Sequence, residues 1–249
     1  MKKLIIANSK MNMVEGEAKA YFTKLVAKAN LNNADVVICP TFTNLPIANF
    51  LTKDSGIKLG GQNVSDEEFG AFTGEVNAEM LRSVGAEYVI VGHSERRNKF
   101  KETDRLCNKK IKVALKHGLK CIYCVGESLV EKNKQMTEAV IKKQIEDGLK
   151  GLYENELESV IIAYEPVWAI GTGVSATQKD IELGATVIRN AILSVYSKKA
   201  AESVQVLYGG SLNDKNFQNI LSVKGIDGGL FGGISLNIDS FLHIINNVK

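Results

Sequence analysis

Short apolar runs alternate with amphipathic stretches along the whole chain, and this alternation restricts the fold more than any other feature. The apolar runs have the length and composition of strands buried on both faces. They lie at residues 4–7, 36–39, 57–60, 88–91, 121–125, 160–164, 204–208 and 229–231. The amphipathic stretches predict helices at residues 16–30, 45–53, 78–84, 103–117, 131–152, 178–197, 216–221 and 238–248. Strand and helix therefore alternate eight times.

This alternation indicates a closed barrel. Strands buried on both faces form a parallel sheet that helices cover. Eight such units in a chain of 249 residues favour a (β/α)8 barrel over an open doubly wound sheet. The sequence shows no Ser/Gly-rich tract or single-charge run that would mark a linker. We therefore predict one α/β domain, residues 1–249, folded as a (β/α)8 barrel of eight parallel strands with outer helices.

Composition and charge exclude several classes of function. The chain has 31 basic and 28 acidic residues, a net charge of +3, and no clustered basic face of the kind that nucleic-acid binding requires. The apolar run after Met1 is too short for a signal-peptide core, and no segment approaches the length of a membrane span. We expect a cytoplasmic protein with neither nucleic acid nor membrane as a partner.

The four cysteines do not indicate a disulfide framework or a metal site. Cys121 and Cys124 form a C-x-x-C match inside a predicted strand. Residues i and i+3 of a strand face opposite sides, whereas a redox pair needs a helix start. No second pair completes a zinc site. We expect buried, unpaired thiols.

Unusual residues follow seven of the eight predicted strands. In a (β/α)8 barrel the residues after the strands gather on one face, where barrel enzymes assemble their active sites. The segments that follow the strands contain Asn8, Ser9, Lys10, Gln62, Asn63, His93, Glu95, Gly126, Glu127, Glu165, Gly209, Gly210, Ser211, Gly232 and Gly233. The sequence therefore predicts a functional site at the carboxyl ends of the strands.

Glu165 ends the sixth strand and opens a loop that runs to Gly173. Pro166 prevents the strand from continuing, and Trp168 and Ile170 would be poorly placed in water unless the loop closed onto something. This pattern is typical of a catalytic base under a movable lid.

Two glycine clusters follow the last two strands. One comprises Gly209, Gly210 and Ser211, and the other Gly232 and Gly233. Backbone N–H groups at these positions of a barrel can hold a phosphate without a basic side chain. A tight turn would explain either cluster alone, but both together indicate a phosphorylated small molecule.

The three histidines differ in their settings. His117 precedes Gly118 at a predicted helix end, and His243 lies in the last helix. We therefore interpret both as structural residues. His93 stands at a strand end before a helix start, where the helix dipole disfavours an imidazolium. We expect a neutral hydrogen-bond donor at His93.

A carboxylate, an imidazole and an ammonium beside a phosphate site suit proton transfer next to a carbonyl. Glu165 can take a carbon-bound proton, while His93 and Lys10 stabilise the charge that develops on oxygen. This chemistry requires no metal or cofactor.

Over essentially its whole length, the chain resembles the triosephosphate isomerase family. The resemblance rests on five segments: NSKMN at 8–12, GHSER at 92–96, the loop after Glu165, YGGS at 208–211 and the glycine pair at 232–233. It implies interconversion of dihydroxyacetone phosphate and D-glyceraldehyde 3-phosphate through an enediolate. A glutamate base with a neutral histidine is the known arrangement of this family, so these roles of Glu165 and His93 are carried over from it.

The resemblance also implies roles for further residues. Lys10 stabilises negative charge, Asn8 contacts substrate oxygens, Glu95 positions its polar neighbours, and Tyr208 supports the site. Backbone amides hold the phosphate at Gly171, Ser211, Gly232 and Gly233, the first only after the lid closes.

The resemblance also implies that the protein forms a homodimer. The segment that begins at Gly70 and ends at Glu75 is similar to the family's interdigitating dimer loop, which brings Thr73 toward Lys10 of a second copy.

Four positions depart from the family pattern. Ser9 stands in place of a usual tryptophan, Val174 in place of a common lysine, and Phe231 and Ile234 in place of smaller residues. None of the four removes a proposed catalytic group. Reaction rate and stability are the properties that these changes affect.

Two other functions remain open from the sequence. Another phosphosugar isomerase could use the same barrel, because a fold does not fix a function. A non-enzymatic binding protein derived from the barrel is the second, although such a protein could lose Lys10, His93 or Glu165 without penalty.

Overall fold

The computed structural model describes residues 2–170 and 175–249 and shows a closed parallel barrel in them. Each strand pairs in parallel with its neighbour in sequence, and β1 pairs with β8 to close the sheet. The strands are β1 (Lys3–Asn8), β2 (Ala34–Cys39), β3 (Lys58–Gly61), β4 (Ala86–Val91), β5 (Lys120–Val125), β6 (Val160–Tyr164), β7 (Gln205–Tyr208) and β8 (Gly228–Phe231). The predicted (β/α)8 barrel is confirmed, and every predicted strand lies within two residues of an observed one.

Alternating side chains of the strands fill two separate cores. Leu4 and Ile6 of β1 belong to a cluster of strand residues, which is the interior of the barrel. Ile5 and Ala7 belong to a larger cluster that also contains the apolar faces of the helices. Successive residues of a strand point to opposite faces, so both faces are buried. This explains why the strands read as continuous apolar runs.

Helices surround the barrel in the described part of the chain. They are α1 (Glu15–Lys28), α2 (Leu45–Thr52), α3 (Ala78–Ser83), α4 (Ser94–Phe100), α5 (Asp104–Lys116), α6 (Leu129–Asn133), α7 (Thr137–Gly148), α8 (Gln178–Val195), α9 (Lys198–Ser203), α10 (Phe217–Leu221) and α11 (Ile238–Asn247). None of these helices is both long enough and apolar enough to cross a membrane.

The single helix predicted at residues 131–152 is wrong. The chain forms α6 and α7 there, separated by residues 134–136. Ser128 and Glu131 start α6 with a capping box. Gln135 adopts a left-handed backbone conformation with φ of 57°, which a continuous helix cannot contain. The two helices also differ in packing, because α6 buries none of its residues whereas α7 buries Ile141 and Ile145.

The cysteine prediction agrees with the structure. Cys39, Cys107, Cys121 and Cys124 are all buried and unpaired. Cys121 belongs to the core between barrel and helices, whereas Cys124 lies inside the barrel, so the two thiols face opposite sides of β5. Burial raises the pKa of both thiols, which opposes thiolate chemistry.

Candidate active site

Most of the predicted site residues surround one cavity at the carboxyl ends of the strands. The cavity has a volume of about 640 Å³. Its lining includes Asn8, Lys10, His93, Glu95, Glu165, Ser211, Gly232 and Gly233. Tyr208 lies buried beneath this lining, and Thr73 lies on an exposed loop away from it. Gly171 lies outside the described residues.

Glu165 is buried at the end of β6, with 2% of its surface exposed. One carboxylate oxygen, Oε2, accepts a hydrogen bond from the backbone N–H of Ser94 at 2.9 Å. The other, Oε1, lies 3.2 Å from Nε2 of His93. A buried carboxylate needs such donors because burial removes its water. The structure therefore holds a carboxylate and an imidazole in direct contact inside the cavity.

His93 is the N-cap residue of α4, and this position fixes its hydrogen bonds. Its Nδ1 atom accepts the backbone N–H of Glu95 at 3.2 Å. A nitrogen that accepts a hydrogen bond carries no proton, so the ring proton of a neutral His93 sits on Nε2. A neutral imidazole in this arrangement would present its N–H donor on the cavity side.

Lys10 has a strained backbone and a paired side chain. Its φ of 50° is unusual for a residue other than glycine and is held by neighbouring polar groups. Asn8 accepts its backbone N–H at 2.9 Å, and Gln62 donates to its carbonyl at 2.9 Å. The Lys10 ammonium lies 2.7 Å from Oε1 of Glu95. The strain fits a residue whose position matters for function.

The electrostatics of Glu95 follow from this ion pair. Partial burial raises the pKa of the Glu95 carboxyl, but the hydrogen bond and the positive charge of Lys10 act in the opposite direction. The net result is a pKa below the ordinary value, so Glu95 stays ionised and holds the ammonium in place.

Gly209 has a structural role that the sequence did not reveal. A Cβ atom at this position would lie 2.8 Å from Cγ of Glu165. The glycine therefore makes room for the carboxylate, in addition to any role in binding a ligand. The neighbouring Gly210 is similarly constrained, because its Cβ would lie 2.2 Å from the hydroxyl of Tyr208.

Tyr208 places a hydroxyl beneath the start of the segment that follows β7. Burial raises the pKa of Tyr208 to about 12, although the nearby backbone N–H groups of Ala176 and Ser211 lower it. Among the described residues the hydroxyl makes no hydrogen bond of standard geometry. It thus remains a neutral group between the end of the predicted lid and the first glycine cluster.

Trp168 is fixed by residues from two other elements. Its indole N–H donates to Glu127 at 2.8 Å, and Glu127 also accepts the hydroxyl of Tyr164 at 3.2 Å. The ammonium of Lys132 lies 3.3 Å from the centre of the Trp168 ring and 2.9 Å from Oδ1 of Asp180. Lys132 therefore contacts residues on both sides of positions 171–174.

Sequence reasoning assigned no role to several of these residues. Gln62 and Glu127 lie one and two residues after their strands and were singled out by that position, as Lys10 and His93 were, but without a role. Lys132 carried no such signal, because its contacts depend on how α6 packs.

The residues that depart from the family pattern differ in where they lie. Ser9 is buried and donates its backbone N–H to Cys39. Phe231 packs edge to face against Phe241, with 6.2 Å between ring centres, and points into the core. Ile234 lines the cavity. Val174 lies outside the described residues.

Fold and site together define a (β/α)8-barrel enzyme with acid–base groups at the carboxyl ends of its strands. The family model described as Triosephosphate isomerase matches residues 3–248. The chain therefore belongs to the triosephosphate isomerase family, a family of isomerases.

Relatives with that name match over nearly their full length. Triosephosphate isomerase of Treponema denticola is 46% identical over 245 residues, covering 98% of both proteins. That of Finegoldia magna is 45% identical over 249 residues, covering 100% of this chain and 99% of the relative. That of Dictyoglomus thermophilum is 44% identical over 247 residues, covering 99% of both.

Proposed function

We propose that this protein interconverts dihydroxyacetone phosphate and D-glyceraldehyde 3-phosphate. The observation that carries the proposal is the joint position of three groups in one cavity: the Glu165 carboxylate, the His93 imidazole 3.2 Å from it, and the Lys10 ammonium. The family to which the chain belongs supports the same reaction.

In the proposed mechanism Glu165 removes a proton from the carbon next to the substrate carbonyl. The electrons move onto the carbonyl oxygen, giving an enediolate whose charge the Nε2–H of His93 and the Lys10 ammonium stabilise. A proton then moves from the hydroxyl oxygen to the former carbonyl oxygen through the His93 ring, and Glu165 returns its proton to the carbon that carried the carbonyl, which completes the isomerisation. Asn8 contacts the substrate oxygens, Glu95 keeps Lys10 in position, and no metal or cofactor takes part.

The phosphate binds, in this proposal, at the two glycine clusters. Ser211, Gly232 and Gly233 line the same cavity as Glu165. Their backbone N–H groups can donate to phosphate oxygens, and Gly171 joins them when the loop after Glu165 closes. A cavity of about 640 Å³ has room for a triose phosphate.

A homodimer is the second part of the proposal, and two surfaces of the chain support it. The segment from Gly70 to Glu75 is exposed throughout and carries Phe72, with Phe69 just before it. A second pocket of about 510 Å³ adjoins the first at Lys10, His93 and Glu95, and its lining contains apolar side chains and cations. The apolar side chains are Met11, Phe42 and Phe100, and the cations are Lys10, Arg96 and Lys99.

This pocket complements the projecting segment of a second copy. Aromatic rings can enter its apolar part, while Glu75, the acidic residue that ends the segment, can meet a cation. Thr73 of one copy then lies near Lys10 of the other. The second subunit would thus complete the surroundings of Lys10.

We further propose that the chain acts as a single domain in the cytoplasm, in glycolysis and gluconeogenesis. The four buried, unpaired thiols support a reducing compartment.

A coupled assay in both directions tests the proposed reaction. Purified protein is supplied with D-glyceraldehyde 3-phosphate and linked to glycerol-3-phosphate dehydrogenase, and with dihydroxyacetone phosphate and linked to glyceraldehyde-3-phosphate dehydrogenase. We expect turnover in both directions, and ribose 5-phosphate as a larger aldose serves as the comparison substrate. Turnover of the larger substrate alone would favour the other phosphosugar isomerase, and binding without turnover would favour the non-enzymatic alternative.

A further inference from the structure

A loop between β3 and α3 projects from the barrel and is tethered to a helix of its own subunit. We define the projecting loop as residues 65–76; its positions 69–75 are all exposed. The exposed part is closed on itself, because Phe72 N–H donates to Gly70 and Glu75 N–H donates to Phe72, each at 3.0 Å. The tip of the loop is therefore ordered by its own hydrogen bonds, but its orientation depends on the contacts at its base.

Two ion pairs and one histidine–carboxylate contact connect the base of the projecting loop to α5 and its C-terminal end. Asp66 pairs with Lys109 at 3.1 Å, and Glu68 pairs with Lys116 at 2.5 Å. The second oxygen of Glu68 lies 3.3 Å from Nε2 of His117. Lys109 and Lys116 are two helical turns apart and so share one face of α5. We call these three contacts the clasp.

The position of Glu68 shows that the clasp is a specific arrangement. The end of α5 carries the negative pole of the helix dipole, which repels a carboxylate. The Lys116 ammonium acts against this repulsion, and its hydrogen bond lowers the pKa of Glu68 below its ordinary value. The carboxylate is thus ionised and held at an end of the helix that it would otherwise avoid.

The other contacts at the base close the neck of the loop without orienting it toward α5. Ser65 N–H donates to the Val76 carbonyl at 2.8 Å, and the Asn77 side chain donates to the Glu68 carbonyl. Both join one side of the loop to the other. The clasp is the set of side-chain contacts that connects the loop to α5.

We propose that the clasp holds the projecting loop in the orientation needed for self-association, so that ionic strength controls dimer affinity through contacts inside one subunit. The inference rests on the proposed homodimer. A loop ordered before binding loses less conformational entropy on binding than one that must be ordered during it. The ion pairs of the clasp are exposed, so salt screens them and weakens the pre-ordering.

A double-mutant cycle on Glu68 and Lys116 tests the proposal. The variants are Glu68→Gln, Lys116→Gln and the two combined, with Glu67→Gln as the matched control. Glu67 lies in the same loop with the same charge but forms no ion pair in the described structure. The dimer dissociation constant is measured by fluorescence-detected sedimentation at 50 mM and 500 mM NaCl, after circular dichroism has verified folding.

We expect each single clasp variant to raise the dissociation constant about two- to fivefold at low salt, the range for an exposed ion pair. The combined variant should match the single variants, because each already breaks the same contact. Its salt dependence should be weaker than that of wild type and of Glu67→Gln. Additive effects, or effects equal to those of Glu67→Gln, would overturn the clasp while leaving the dimer intact. A wild-type protein that stays monomeric would overturn the dimer itself.

Discussion

At the residue scale, the active site depends on how Glu165 is held while it remains able to react. The carboxylate is buried, and its two oxygens face the Ser94 amide and the His93 ring. These contacts compensate for lost water without a permanent positive partner on the carboxylate. A lysine in direct contact would have weakened the base. In the structure Lys10 is instead paired with Glu95, which leaves Glu165 to accept a proton from a ligand.

The first prediction concerns Glu165→Gln. An amide keeps the size of the side chain but cannot accept the carbon-bound proton, so kcat should fall about 10²- to 10⁴-fold. The dissociation constant of inorganic phosphate should change less than tenfold, because the backbone amides remain. Steady-state kinetics and calorimetric titration measure the two effects. Turnover close to that of wild type would contradict the assigned base.

The second prediction concerns Gly209→Ala. The added Cβ would lie 2.8 Å from Cγ of Glu165, so the carboxylate must move away from its position. We expect kcat to fall about 10- to 100-fold, since small displacements of a catalytic group are costly. Gly16→Ala is the control, because a Cβ there meets nothing within 4 Å. Equal activity of both variants would show that Glu165 tolerates the shift.

At the element scale, strands were easier to predict than helices or the finer parts of the site. Burial on both faces leaves a continuous apolar signal that local sequence carries by itself. The break at Gln135 is local backbone geometry, which the hydrophobic period does not record. Lys10 and His93 were predictable because a barrel gathers the residues after its strands. The roles of Gly209 and Lys132 depend on contacts between distant elements, which one sequence does not display.

The third prediction concerns a buried ion network that joins α4, α5 and the segment after β3. Glu102 accepts hydrogen bonds from Arg96 and Lys110, each at 2.5 Å, and Lys110 also donates to Asn63 at 2.8 Å. Burial raises the pKa of Glu102, but the hydrogen bonds from Lys110 and Arg96 lower it by more. The net pKa therefore lies below the ordinary value. The network therefore stabilises the fold above about pH 4.5 and loses this contribution as pH falls through the lowered pKa.

Glu102→Gln tests the network at two pH values. At pH 7 the variant leaves the Lys110 ammonium buried without its carboxylate, which should cost about 3 to 5 kcal/mol of unfolding free energy. Between pH 7 and pH 4 the variant should lose less stability than wild type, because it lacks the carboxyl group whose pKa is lowered in the folded state. Urea unfolding at fixed protein concentration measures both. Parallel pH profiles for the two proteins would exclude Glu102 as a source of acid sensitivity.

At the scale of the whole molecule, charge is arranged locally and nearly balanced overall. A net charge of +3 on 249 residues produces little long-range attraction or repulsion between copies. Acidic residues are concentrated on the projecting loop, whereas the pocket beside Lys10 is lined by three cations and one carboxylate. Self-association should therefore depend on these two surfaces and not on the average charge.

The fourth prediction is that Phe72→Asp produces a folded monomer with little activity. Phe72 is 46% exposed in the single chain and lies at the tip of the projecting loop. An aspartate buried there against a second copy would be an unpaired charge, which costs about 3 to 5 kcal/mol and so opposes association. Monomers should isomerise poorly because Lys10 lacks the residues of the second subunit. The control is Tyr153→Asp, at a 77% exposed aromatic away from the loop, which should remain dimeric and active. Sedimentation and coupled assays on the same samples decide the matter: a Phe72→Asp monomer with full specific activity would show that each site is complete within one chain.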